Sequence, residues 1–169
     1  MTEALKTLVD RKSIMFSPRI RVKDNTIAGF FGEYRFLSNF HESPFLMDGI
    51  LYPTVEHAYQ AQKALSDSSL FKEIAEAESA SVAKKLGRKA KLPDNWDSKK
   101  VLIMRRCITL KFLSNLDLKT ELLKTVPYNL EETNWWGDEF WGVCNGAGDN
   151  ILGLLLMDLR DNKFIDNLL

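Results

Sequence analysis

The stretch that most constrains this chain is a turn that runs directly into a capped helix. Asp48-Gly49 separates two short apolar runs, Pro44-Phe45-Leu46-Met47 and Ile50-Leu51-Tyr52. Two such runs around Asp-Gly predict a tight β-hairpin, because its turn needs positive φ at residues that tolerate it. Pro53 ends the second strand. Thr54 is a good helix N-cap, since its hydroxyl can accept a hydrogen bond from an unpaired N–H of the first turn. Ala58, Gln60, Ala61, Gln62 and Lys63 then favour helix. A small sheet and a helix N-terminus are thus joined within about twenty residues, which places Glu56 at their junction.

On that helix Glu56, Gln60 and Lys63 fall at i, i+4 and i+7 and form one polar stripe. Val55, Ala58, Tyr59, Gln62 and Leu65 form a separate, mostly apolar stripe suited to a core. The polar stripe has two readings. One is a solvated face with Glu56 complementing the helix dipole. The other is a carboxylate and an amine offered side by side to a ligand. Spacing alone does not separate them.

Along the rest of the chain, residues 1–22 read as an extension, with a short amphipathic helix over 1–12, and residues 23–169 as a single domain. Arg19 to Lys23 alternates basic and apolar residues, as an edge strand does. Asp24-Asn25 marks a turn and Ile27–Phe31 a strand. Ser38 and Asn39 sit in a loop, where they could cap local backbone. Short helices follow over 66–91, with Gly87 as a C-terminal stop and a basic cluster from Arg88 to Lys91. A long amphipathic helix spans Asp97 to Leu113, carrying Arg105 and Arg106 either in surface ion pairs or toward a phosphate. A further helix covers Asp117–Thr125, ended by Pro127, and Tyr128–Asn134 alternates like a strand. The densest aromatic stretch runs from Trp135 to Trp141 and suits either a pocket wall or a lid on the core. Asn145 to Asn150 is a glycine-rich loop opening the last helix, Ile151–Leu159, where backbone N–H groups could hold a phosphate. The expected fold is α+β: one helix-rich domain with a small antiparallel sheet or hairpin near the helix that carries Glu56.

Bulk properties exclude several classes. The chain has 169 residues, with 23 basic and 23 acidic side chains and a formal net charge of +0. No strong field draws it to nucleic acid or anionic lipid. Cys107 and Cys144 make no disulfide framework. His41 and His57, without a Cys/His cluster, give no metal-site spacing, and no cofactor is expected. The longest apolar run, Ile151 to Met157, is far too short to span a membrane. With no charged-then-apolar leader, a reducing, cytoplasmic compartment is the simplest expectation.

Tyr52-Pro53-Thr54-Val55-Glu56-His57-Ala58-Tyr59-Gln60-Ala61-Gln62-Lys63 resembles the signature of the NADAR family. Leu37-Ser38-Asn39-Phe40 with Ser43-Pro44-Phe45 is similar to its N-terminal motif, and Gly87-Arg88 with Trp96 to its middle. Trp141-Gly142 with Gly146, Asn150 and Leu152-Gly153 is similar to its C-terminal motif. The resemblance spans roughly residues 30–160. It implies an N-glycosidase acting on a phosphorylated nucleoside-like substrate, either ADP-ribosylated guanine in DNA or a ribosylaminopyrimidine intermediate of riboflavin synthesis. It also implies ligand contacts at Arg35, Ser38, Asn39, Gln60, Trp96, Trp141, Gly142, Gly146 and Asn150. Trp96 could equally be a core anchor; the resemblance favours stacking on a base.

Cleaving a glycosidic C–N bond builds positive charge on the sugar and requires the leaving nitrogen to be stabilised. Glu56 is the candidate acid/base and Asp138 a second carboxylate. Lys63 lies about 10 Å along the helix axis from Glu56. It could hold Glu56 ionised, bind phosphate or, in the role the resemblance implies for the guanine-directed members, attack an opened sugar as a neutral amine. A non-catalytic nucleotide-binding module would use the same aromatics and loop without needing Glu56. A purely structural protein would bury its tryptophans in the core.

Overall fold

The computed structural model describes residues 21–161. The helix expected over residues 1–12, and Arg19 and Ile20 of the expected edge strand, lie outside the described residues. Strand β1 (Arg21–Lys23) turns through Asp24 and Asn25, whose φ values are 53° and 62°, and pairs antiparallel with β2 (Thr26–Ala28). Gly29 then takes φ +84°, so β2 stops short of the expected Phe31. A 3₁₀ segment, Gly32–Leu37, leads to the hairpin β3 (Phe45–Met47) and β4 (Ile50–Tyr52), with Asp48 and Gly49 at φ 54° and 78°. Phe45 and Met47 point into the core while Leu46 and Leu51 face outward, the alternation that a pleated strand imposes.

Helix α1 (Val55–Ala61) follows, capped by the Thr54 side chain, which accepts from the His57 N–H. Its four-residue neighbours Glu56 and Gln60 belong to a helix whose seven residues are all buried. His57 is fixed between two partners. Its Nε2 lies 3.0 Å from the Ala77 carbonyl, which can only accept, so Nε2 carries the proton and Nδ1 accepts from the Thr54 hydroxyl at 2.8 Å. Helices α2 (Ser68–Ala75) and α3 (Ala80–Gly87) are capped by Asp67 and Ser79. Both pack on α1 and on each other. Gly87 keeps an ordinary helical conformation, since no positive φ is recorded there, and its small size serves packing instead.

The long helix α4 (Trp96–Ser114) sends Met104, Cys107, Ile108 and Phe112 into the core. Arg105 pairs with Asp158, and Arg106 forks onto both oxygens of Asp48 at 3.0 and 2.6 Å, so these arginines are spent in surface ion pairs. Helix α5 (Leu116–Lys124) leads to β5 (Asn129–Glu131), which joins β2 in parallel. A second parallel pair links β6 (Thr133–Asn134) to β7 (Val143–Cys144). The fold is α+β and helix-rich, as expected. The hairpin beside α1 is antiparallel, as is β1 with β2, but β2 with β5 and β6 with β7 pair in parallel. Helix α6 (Ile151–Asp161) closes the core with Leu152, Leu155, Leu156 and Leu159. Among the described residues no helix is long and apolar enough to cross a membrane.

One core residue is a lysine. Lys111 is 1% exposed, and its Nζ donates to the carbonyls of Phe36 and Ser38 at 2.6 and 3.0 Å. Helix α4 thereby holds the loop that carries Arg35, Ser38 and Asn39. Burial pushes the ammonium down to about 7, with nearby Arg35 adding to the effect. A depressed base disfavours folding where it must be charged. The unfolded chain binds its proton more tightly between pH 7 and the ordinary lysine range, so native stability should rise with pH across that window. The unfolding free energy should increase between pH 7 and 9 by on the order of 2 kcal/mol more in the wild type than in Lys111→Met. Urea unfolding curves that stay parallel in pH for the two proteins would contradict a neutral, donating Lys111.

Candidate active site

A cavity of about 530 Å³ opens between α1, α3, the Phe36–Phe40 loop and the tryptophan-rich loop. That volume suits a nucleotide-sized ligand. The polar stripe faces into it: Glu56 and Gln60 of α1, and Lys63 of the 3₁₀ turn Gln62–Ala64 into which α1 tightens, all line the cavity. Glu56 and Gln60 are each 5% exposed, so the stripe is not a solvated face. The Gln60 amide donates to Glu56 Oε1 at 2.8 Å, which is the i, i+4 contact expected on a helix. Gln60 Oε1 is left buried without a partner. The Glu56 backbone N–H donates to the Asn39 carbonyl at 3.0 Å, tying the helix start to the Ser38–Asn39 loop.

Burial raises the Glu56 carboxyl above the usual carboxylate range, and Asp138 adds to this. Lys84, the Gln60 amide and Lys63 act against it. Lys63 moves the other way. Burial lowers its ammonium, Glu56 opposes that, and Lys84 and Arg88 lower it further. Its Nζ lies 5.1 Å from the centre of the Tyr59 ring and 5.7 Å from that of Trp96.

The cavity also gathers Arg35, Ser38, Asn39, Asp138 and Trp141. Ser38 does both jobs open to it, since its hydroxyl also accepts from the Phe40 N–H at 3.2 Å. Asn39 donates to the Met104 sulfur at 3.4 Å and leaves its Oδ1 buried and unpaired. Asp138 accepts from the Trp141 N–H at 2.9 Å, and its own backbone is clamped by the Asn134 side chain through bonds of 2.7 and 3.1 Å. Trp135 and Trp136 stand at the mouth, 70% and 49% exposed, with Trp135 stacked on Phe31 at 5.6 Å.

Four expected contacts lie elsewhere. Trp96 is 6% exposed and packs on Tyr59 at 5.4 Å, so it buttresses the wall from behind. Gly142, Gly146 and Asn150 do not line the cavity. Asn150 instead bridges the chain, accepting from the Glu132 N–H at 3.0 Å and donating to the Leu130 carbonyl at 2.9 Å. At the end of the glycine-rich loop the backbone donors already have protein partners. The N–H groups of Asp149, Asn150, Ile151 and Leu152 donate to the carbonyls of Glu139, Gly142, Phe140 and Trp141, which uses up the start of α6.

Lys84 and Glu132 line the cavity although no motif singled them out, and Arg88 does so as the first residue of the basic cluster. A signal for the two cations was present in the chain. Lys84 and Arg88 are four apart and flank Gly87 at the end of α3, and at Gly87 that helix lies close against Gln60 of α1. A Cβ on Gly87 would lie 2.0 Å from Gln60 Oε1 and 2.9 Å from Gln60 Cβ.

This geometry matches known proteins. The family model for the NADAR domain covers residues 29–162. The chain belongs to the NADAR family. It is 39% identical over 151 residues to the N-glycosidase YbiA of Shigella flexneri, spanning 86% of this chain and 93% of that protein. The NMR structure of Escherichia coli YbiA superposes with a TM-score of 0.74 at 37% identity, covering 86% of this chain and 89% of the other. A riboflavin biosynthesis protein of Vibrio vulnificus is 36% identical over 129 residues, spanning 75% of this chain and 35% of that longer protein. With a YbiA relative matched over nearly its whole length, this NADAR chain is an N-glycosyl hydrolase.

Gly87→Ala should push α3 off α1 and swing Gln60 away from Glu56. A cost of about 1–3 kcal/mol in urea unfolding is expected, as for other overpacked contacts. An unchanged midpoint would show that the contact has slack.

Proposed function

We propose that this enzyme removes ADP-ribose from ADP-ribosylated guanine in nucleic acid, with Glu56 as acid/base and Lys63 as an amine nucleophile. The observation that carries the proposal is a buried carboxylate on α1 and a half-buried amine in the 3₁₀ turn Gln62–Ala64 that continues it, both lining a single cavity. Around them stand Arg35, Lys84 and Arg88, cations enough for a pyrophosphate, and the indoles of Trp135, Trp136 and Trp141, flat faces for bases. Charge building on the ribose as the C–N bond stretches is stabilised by the Glu56 carboxylate, which also activates water. A lysine must shed its proton to attack a sugar carbon, and the depressed Lys63 is suited to do so.

A second reading is a glycosidase for ribosylaminopyrimidine phosphates, and the name of the Vibrio vulnificus relative favours it. Its single phosphate would need fewer of the cations. A module that only binds nucleotides would share the cavity but would not depend on the Glu56 carboxylate.

The test compares guanine-ADP-ribosylated DNA with a ribosylaminopyrimidine phosphate, following released product by mass, with and without borohydride. Cleavage of the DNA and a borohydride-trapped adduct on Lys63 are expected. Glu56→Gln should lose at least about 100-fold in rate while binding is kept. Cleavage of the pyrimidine alone would move the enzyme to the second reading. Cleavage of neither, with tight nucleotide binding, would sink the catalytic assignment.

A further inference from the structure

Gly142 and Asn150 do not line the cavity, yet both act on one residue of its wall. The Asn150 side chain accepts the Glu132 N–H, and the Val143 N–H donates to the Glu132 carbonyl at 2.9 Å. A Cβ on Gly142 would stand 2.1 Å from the Glu132 carbonyl oxygen and 3.1 Å from its Cγ. The bare glycine therefore lets the backbone approach closely. Glu132 is held at its N–H, at its C=O and beside its side chain, and that side chain lines the cavity. Its Oε2 is buried and has no partner. A buried carboxyl oxygen without a partner is costly, so a fixed one inside a ligand cavity calls for a ligand group.

We propose that Glu132 is the acid of the reaction, donating a proton to the leaving nitrogen while Glu56 acts as the carboxylate that activates water. This rests on the glycosidase reading of the same cavity. The two carboxyls differ in surroundings, and such differences are how one site holds an acid and a base together. Burial raises Glu56 as well, but it accepts the Gln60 N–H and has Lys84 and Lys63 nearby, all of which act toward its charged form. Glu132 Oε2 has no hydrogen-bond partner among the described residues that would stabilise its charge. Burial is the main influence on it. The carboxylates of Asp138 and Glu56 push the same way, against Arg35 and Lys84, and the group reaches about 7.

The step balances. As the C1′–N bond breaks, its electron pair goes to the nitrogen, which takes the Glu132 proton, and the neutral Lys63 amine forms the new bond to C1′. Water then adds its oxygen to C1′ of this adduct and gives a proton to Glu56, and the C1′–Nζ bond breaks with its electron pair returning to the lysine. Proton exchange with solvent returns both groups to their starting states, and the net change is hydrolysis.

The test is Glu132→Gln, which keeps the shape and a donor but has no acidic proton. The substrate is whichever of guanine-ADP-ribosylated DNA and the ribosylaminopyrimidine phosphate the wild type cleaves. A fall in kcat of about 100-fold or more is expected, with KM within about threefold. In the wild type kcat should decline as pH rises through about 7, because the acid is then lost, and this limb should vanish in the variant. A variant with wild-type kcat and an unchanged limb would overturn the assignment. A second readout needs no turnover: ¹³C NMR of labelled glutamate carboxyls, with the variant identifying the Glu132 signal. Titration near 7 supports the acid, while titration in the ordinary carboxylate range overturns it even in a protein that cleaves neither substrate. A wild type that cleaves neither substrate would count against the function proposed above; a fast variant counts against Glu132 alone.

Discussion

The rest of the structure depends on a helix that is buried on every side although one side is polar. Helix α1 has the hairpin at its start, α2 and α3 across it and α4 beneath it. Its polar stripe can survive there only if each group is either paired or facing the cavity. Glu56 is paired with Gln60, and the fit works because position 87 carries no side chain. The same close approach brings Lys84 and Arg88 to the cavity, so packing and charge placement follow from one missing Cβ.

Much of this was legible in the chain because it is local. The Asp48-Gly49 turn, the Thr54 cap and the Glu56–Gln60–Lys63 stripe all follow from spacing within about ten residues. The outcome for the stripe was not local. Whether it meets water or a cavity is decided by α3 and by the tryptophan loop, which lie far along the sequence. Trp96 shows the same limit: a lone indole serves a core or a ligand equally well, and its packing on the Tyr59 ring is not legible nearby in sequence.

Motif membership does not by itself place a residue at the cavity. The family resemblance implies ligand contacts at Gly142, Gly146 and Asn150, and none of the three lines it. The hydrogen bonds of the Asn150 side chain go to the backbone of Leu130 and Glu132, and Gly142 lies close against Glu132. Lys111 was illegible for the opposite reason. A lysine on an amphipathic helix reads as a surface residue, and nothing nearby in sequence announces that two loop carbonyls seventy residues away require its donors.

The Asn150 bridge has a consequence for the order in which this protein comes into being on the ribosome. Helix α1, with Glu56 and Lys63, can be made and capped early in synthesis. Its counterpart on the opposite wall cannot be fixed until residue 150 has left the exit tunnel, since one side chain there holds both Leu130 and Glu132. A nascent chain stalled before that point has the first half of its active site and no means of aligning the second. Competence therefore arrives late in translation, with α6 as the last part needed.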